Sequence, residues 1–126
     1  MARILIMDDD NLIRRMLRQV LEQEGHEIVE ARDGTEGINL NRKLHCDLII
    51  TDIIMPEKEG IETIGELRRE FPDIKIIAMS GGGRIGPDAY LKMAKDFGAM
   101  RTIVKPIGKD ELLKATKELL ESGAGE

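Results

Sequence analysis

Apolar and polar positions along this chain follow two rhythms that take turns. Short unbroken apolar runs, Ile4-Leu5-Ile6-Met7, Leu48-Ile49-Ile50, Ile76-Ile77-Ala78-Met79 and Ile103-Val104, alternate with longer stretches where apolar residues return every three or four positions. The runs predict strands buried on both faces, and the stretches predict helices. Their regular alternation predicts an α/β domain: a parallel sheet with helices on both faces.

The first strand spans about residues 3–7 and leads into a helix over about 11–24. Leu12, Ile13, Met16, Leu17, Val20 and Leu21 form its apolar stripe. Asp10 is placed to cap this helix and Gly25 to stop it. A second strand over 26–31 meets the turn Asp33-Gly34, and a short helix follows over about 35–43. A third strand over 47–51 opens into a loop over 52–59, and Gly60 begins a helix that ends before Pro72. The fourth strand, 74–79, meets a glycine-rich loop over 81–86. Pro87 suits the first turn of the next helix, which ends near Gly98. The last strand, 101–104, precedes Lys105-Pro106 and a final helix over about 109–121. Residues 1–121 thus read as one domain, and 122–126 as a flexible C-terminal tail.

With 126 residues there is room for one core and not for two. A net charge of -5 weighs against direct nucleic-acid binding, which needs a basic face. The apolar runs are far too short for membrane insertion, and the N-terminus reaches Asp8 too early for a signal peptide. The lone Cys46 excludes an internal disulfide and suits a reducing compartment, so a cytoplasmic location is expected. Two Phe, one Tyr and no Trp leave few platforms on which a base or flavin could stack.

Chemistry collects where the apolar runs stop. The first ends in Asp8-Asp9-Asp10, the third strand in Asp52, the fourth in Ser80 and the fifth in Lys105. Ligands of open α/β sheets bind at this carboxyl edge. Two carboxylates about 4 Å apart repel by roughly 4 kcal/mol at an effective dielectric near 20, so the acids need a proton or a cation. Hard oxygen donors suit Mg²⁺, which shares its shell readily with phosphate. Lys105 adds a fixed positive charge and Ser80 a hydroxyl donor, a set suited to handling a phosphoryl group. With no Ser-His or Cys-His pair evident, a carboxylate is the expected nucleophile, giving an aspartyl phosphate. Capping is the better role for Asp10, although three acids in a row leave it a minor metal candidate. His26 and His45 stand alone, Cys46 reads as packing, and the methionines read as core filler.

Taken in order, Ile4-Leu5-Ile6-Met7-Asp8-Asp9, Asp47-Leu48-Ile49-Ile50-Thr51-Asp52-Ile53-Ile54-Met55-Pro56 with Gly60, Ala78-Met79-Ser80-Gly81 and Val104-Lys105-Pro106 resemble the receiver domain of two-component response regulators. The resemblance runs from about Arg3 to Leu120 and fits the single-domain chemotaxis type. It implies a flavodoxin-like sheet of strand order 2-1-3-4-5 with five helices. It implies that Asp52 accepts a phosphoryl group from a histidine kinase or phosphotransfer protein, and that a downstream protein reads the result. Mg²⁺ would be held by Asp9, Asp52 and the backbone carbonyl of Ile54, with Asp8 completing the acidic pair. Ser80 would bond the phosphoryl group and Lys105 would pair with it, ahead of a cis peptide to Pro106. Such a protein is a switch, with self-phosphorylation and autodephosphorylation as its only enzymatic traits. No output domain is expected.

Three positions depart from the family pattern. Thr102 stands where an aromatic switch residue is usual, so a ring rotation is not available to carry the signal. The loop after Ser80 is longer and richer in glycine, which makes it the expected reporter to the helix beginning near Pro87. Ile107 replaces a common aromatic, with only a packing effect expected. Other functions fit less well. Gly81-x-Gly83-x-x-Gly86 matches a dinucleotide fingerprint locally, but the next strand ends in Lys105 in place of a ribose-binding acid. Pro87-Asp88 after Gly86 rules out a phosphate-binding Walker loop. Asp8-x-Asp10 matches the opening of haloacid-dehalogenase-type phosphatases, which need acids where this chain has Ser80 and glycines. A receiver-like module without phosphorylation is disfavoured because every expected group is present.

Overall fold

The computed structural model describes residues 1–53, 60–81 and 87–121, with backbone alone for 87–91. Five strands and five helices alternate: β1 Arg3–Met7, α1 Asn11–Gln23, β2 Glu27–Ala31, α2 Gly34–Leu44, β3 Leu48–Asp52, α3 Gly60–Glu70, β4 Lys75–Ser80, α4 Pro87–Phe97, β5 Arg101–Val104 and α5 Lys109–Glu121. All strand pairs are parallel, in the order β2-β1-β3-β4-β5. The alternation of patterns predicts the parallel sheet with helices on both faces, and the family resemblance implies this flavodoxin-like strand order.

Each strand sends alternate side chains to opposite faces, so the apolar runs feed two cores at once. Leu5, Met7, Ile49, Ile76 and Ala78 pack with Ile38, Ile64, Leu67 and Ala94 of α2, α3 and α4. Ile4, Ile6, Ile50, Ile77, Met79 and Ile103 pack with Leu17 and Leu21 of α1 and Leu112, Ala115 and Leu119 of α5. Complete burial of each such side chain is worth about 1.5–3 kcal/mol. Among the described residues, no helix is long and apolar enough to cross a membrane.

Two expectations about α1 and α2 need correction. Leu12 was assigned to the apolar stripe of α1, yet it is 72% exposed, whereas Arg14 is buried with Leu17 and Leu21. Arg14 holds a core-facing position because its guanidinium is hydrogen-bonded there, which a hydrophobic pattern cannot register. In α2, Asp33 and Gly34 form the cap and first residue of the helix: the Asp33 carboxylate accepts from the Glu36 N–H at 2.9 Å.

β3 and β4 also start and end one residue later than predicted. Asp52 is in register with Met79, and Ser80 with Val104, so both candidate site residues belong to the ladder. Their backbones are thereby fixed by the sheet. The expectations for Ile54, for most of the glycine-rich loop and for the tail fall on residues 54–59, 82–86 and 122–126, outside the described residues.

Candidate functional site at the carboxyl edge of the sheet

Asp8 follows the last residue of β1 and is fully buried. Its N–H donates to the Ala31 carbonyl at 3.2 Å, extending the β1–β2 ladder by one bond. Its carboxylate is held at both oxygens: Oδ1 accepts the Asp10 N–H at 2.9 Å and Oδ2 accepts Lys105 Nζ at 2.8 Å. Asp10 turns its own carboxylate to α1, where Oδ1 accepts from Leu12 N at 2.8 Å and Ile13 N at 3.4 Å. The capping role expected for Asp10 is the one observed.

Asp52 closes β3 one strand away, and its Oδ2 lies 3.2 Å from Lys105 Nζ. Oxygens of Asp8, Asp9 and Asp52 lie within 4.8 Å of one another, with Asp9 exposed and the other two buried. This spacing of three hard oxygen donors, one of them open to solvent, fits a divalent cation such as Mg²⁺. Asp10 is not in this group.

Lys105 comes from the far side of the sheet. Its backbone N–H donates to the Ser80 carbonyl at 2.9 Å, and its stem packs against Gly81, where a Cβ would lie 3.2 Å from Lys105 Cδ. The Lys105–Pro106 peptide is cis, as expected. Burial works against the ammonium's charge. The hydrogen bond to Asp8 and the charges of Asp52 and Asp8 outweigh it, so the Lys105 pKa lies above the usual lysine value. Ser80 is fully buried, and its hydroxyl has no hydrogen-bond partner among the described residues. A buried hydroxyl left without a partner costs about 1–3 kcal/mol, and none of the described residues supplies one to Ser80.

The structure thus brings together Asp8, Asp9, Asp52 and Lys105, with Ser80 on the neighbouring strand end. Thr102 is half-buried in β5, and Ile107 packs against the core between the sheet and α1 and α5, as expected for a packing residue. The histidines have structural roles. His26 Nδ1 accepts the Ala2 N–H at 3.1 Å, and His45 is the left-handed C-cap of α2, edge-on to Phe71. Cys46 is buried, its backbone N–H donates to Asn41 Oδ1 at 2.8 Å, and burial pushes its thiol pKa up to about 11. A concavity of about 1150 Å³ opens at the opposite edge, beneath the strand starts at Ala2, Asp47 and Ile74. Charges of both signs ring it, so it selects no ligand class.

Sequence reasoning missed Arg14, which is buried under the acid loop and donates to the Asp8 carbonyl. The available signal was its place in the helix, three and seven residues before the buried Leu17 and Leu21.

A parallel sheet whose carboxyl edge gathers acids, a waiting hydroxyl and a lysine defines a phosphoacceptor switch of two-component signalling. The family model for the response regulator receiver domain matches residues 4–117, and the chain belongs to that family. Chemotaxis protein CheY of Listeria monocytogenes is 34% identical over 121 residues, covering 94% of this chain and 98% of that protein. Transcriptional regulatory protein GlrR of Escherichia coli is 32% identical over 123 residues, which are 98% of this chain but 27% of that protein. The chain therefore spans about a quarter of that longer relative. Among solved structures, chemotaxis response regulator CheY4 of Vibrio cholerae superposes with a TM-score of 0.83 at 30% identity, covering 94% of this chain and 98% of that one. A receiver domain protein from Clostridium thermocellum gives a TM-score of 0.87 at 27% identity, covering 95% and 94%. The phosphatase alternative gains no support, since Asp10 is committed to capping α1.

Proposed function

We propose that Asp52 is the phosphoacceptor, that Ser80 and Lys105 hold the transferred group, and that Asp8, Asp9, Asp52 and the Ile54 carbonyl hold Mg²⁺. Ile54 lies outside the described residues, and its part rests on the family resemblance. The unit that does this is residues 1–121. The observation that carries the reading is the position of the Lys105 ammonium, 2.8 Å from Asp8 and 3.2 Å from Asp52, beside an acid cluster.

In the transfer, an Asp52 carboxylate oxygen forms a bond to phosphorus as the bond from phosphorus to the donor nitrogen of a phosphohistidine breaks. The imidazole leaves and takes up a proton from solvent. A bound Mg²⁺ would offset the charge gathering on the phosphoryl oxygens. Lys105 exchanges its contact with Asp52 for the new dianionic group, and Ser80 gives it a hydroxyl hydrogen that no described residue accepts. Hydrolysis by water returns Asp52 to its free form. Moving the active population from 1% to 99% requires about 5.5 kcal/mol of preference, the scale of several charge-assisted hydrogen bonds.

The donor in this reading is a histidine kinase or phosphotransfer protein, and the recipient of the signal is a protein partner in the cytoplasm. Incubation with a small acyl phosphate and Mg²⁺, followed by intact mass measurement, tests it. One added phosphoryl group is expected, lost in Asp52→Asn. Labelling that persists in Asp52→Asn would overturn the assignment.

A further inference from the structure

Arg14 is the one arginine of α1 that turns inward, and its contacts meet at the acidic pair. The guanidinium donates to the backbone carbonyl of Asp8 and to Asn11 Oδ1, and its Nε donates to Glu30 Oε1 at 3.0 Å. Glu30, on β2, is held from the other side by Arg18 Nη1 at 2.6 Å, and Arg18 Nε reaches Glu22 at 3.0 Å. The Asp8 carbonyl belongs to the peptide plane that joins Asp8 to Asp9. Holding that plane holds the two Cα atoms from which both side chains leave the backbone.

We propose that Arg14 is a positioning residue for the cation site: it locks the Asp8–Asp9 peptide so that the two carboxylates converge with Asp52. The proposal rests on the reading of Asp8, Asp9 and Asp52 as the Mg²⁺ ligands. Two effects of Arg14 on a bound cation oppose each other, and their signs differ. As a positive charge near the acids it would repel the cation. As a clamp on the peptide it would favour binding. Arg14 and Arg18 face Glu30 and Glu22, so this network is neutral, and removing Arg14 leaves it with one net negative charge. If charge alone acted, loss of Arg14 would tighten Mg²⁺ binding; if the clamp dominates, loss weakens it. The clamp dominates because the guanidinium bonds the Asp8 carbonyl directly, whereas its charge is offset in part by Glu30 at 3.0 Å.

The test is calorimetric titration of Mg²⁺ into the unphosphorylated full chain, a readout independent of phosphoryl transfer. Arg14→Met is expected to weaken binding about ten-fold, and Arg14→Lys about three-fold, since an ammonium can satisfy one of the three acceptors. Arg18→Met, which also loses the Glu30 contact but does not touch Asp8, is expected to stay within about two-fold of the parent. Should Arg14→Met fail to fold, Arg14→Lys decides: it keeps the positive charge but loses contacts, so charge alone predicts unchanged binding and the clamp predicts weaker binding. Tighter or unchanged binding in the Arg14 variants, or an equal loss in Arg18→Met, would overturn the clamp. Absence of Mg²⁺ binding in the parent protein would instead overturn the reading of the site itself.

Discussion

The Lys105 ammonium lies closer to Asp8, at 2.8 Å, than to the proposed phosphoacceptor Asp52, at 3.2 Å. In the resting protein, therefore, the lysine is bound to one of the carboxylates that a metal ion would use, and the two cations compete. Removing the ammonium as Lys105→Met is expected to tighten Mg²⁺ binding by about ten-fold, or 1.4 kcal/mol, a fraction of the roughly 4 kcal/mol that two charges exchange at 4 Å and dielectric 20. The same variant is expected to lose the conformational response to phosphorylation. Titration calorimetry checks the first outcome, and weaker binding would contradict it.

Ser80 offers a test with an unusual sign. Its buried hydroxyl has no partner among the described residues, so Ser80→Ala removes a group that none of them bonds. Stability of the unphosphorylated protein is expected to be unchanged or to rise by up to about 1 kcal/mol, where an ordinary buried hydrogen-bonded serine would lose that amount. The phosphorylated form should lose stability relative to the parent. Urea midpoints before and after acyl phosphate treatment separate the two states.

Gly60 lies against the backbone that carries the phosphoacceptor. A Cβ there would sit 2.0 Å from the Asp52 carbonyl oxygen and 2.8 Å from that of Ile53, while the Gly60 N–H donates to Ile53 O at 2.7 Å. Because backbone atoms cannot rotate aside, Gly60→Ala is expected to cost about 2–3 kcal/mol and to slow labelling of Asp52. Gly37→Ala is the contrast: its Cβ would meet Met7 Sδ at 2.0 Å, and a flexible thioether can turn away. The milder loss expected there, with Asp52 labelling intact, can be read by denaturant titration and mass measurement. Equal labelling in both variants would remove Gly60 from the account.

Two groups set the pH limits of stability. The Lys105 pKa is raised in the folded protein, so the lysine stabilises below the ordinary value of 10.5, and this is lost as pH rises through the higher folded value. For Glu30, burial favours the neutral acid, but Arg18 and Arg14 outweigh it and lower the pKa. Its contribution is therefore present above 4.5 and lost as pH falls through the lower folded value. Lys105→Met should flatten the alkaline arm of a stability-against-pH curve, and Glu30→Gln the acid arm. Thermal melts across pH provide the curve, and an unchanged alkaline arm in Lys105→Met would refute the lysine's part.

The architecture was legible because short apolar runs and amphipathic stretches have different periods, and a parallel sheet buries both faces of its strands. The ends of β1, β3, β4 and β5 named Asp8, Asp9, Asp52, Ser80 and Lys105, because an open sheet has one edge at which strand ends can meet. Arg14 was not legible. A charge on a helix reads as solvent-facing until its acceptors are known, and the Asp8 carbonyl and Glu30 come from other elements. Leu12 was misplaced for the same reason, since its neighbours in sequence did not reveal that Arg14 had taken the inward turn. The one-residue shifts of β3 and β4 were hidden because strand ends are set by the partner strand.

β5 is four residues long, and among the described strands it pairs with β4 alone. From its tip hangs the ammonium that balances the acids of the two inner strands. A shift of this outermost ribbon would carry the ammonium with it and so alter the balance of charge in the pocket. Mechanical grip and electrical balance are two readings of one tether.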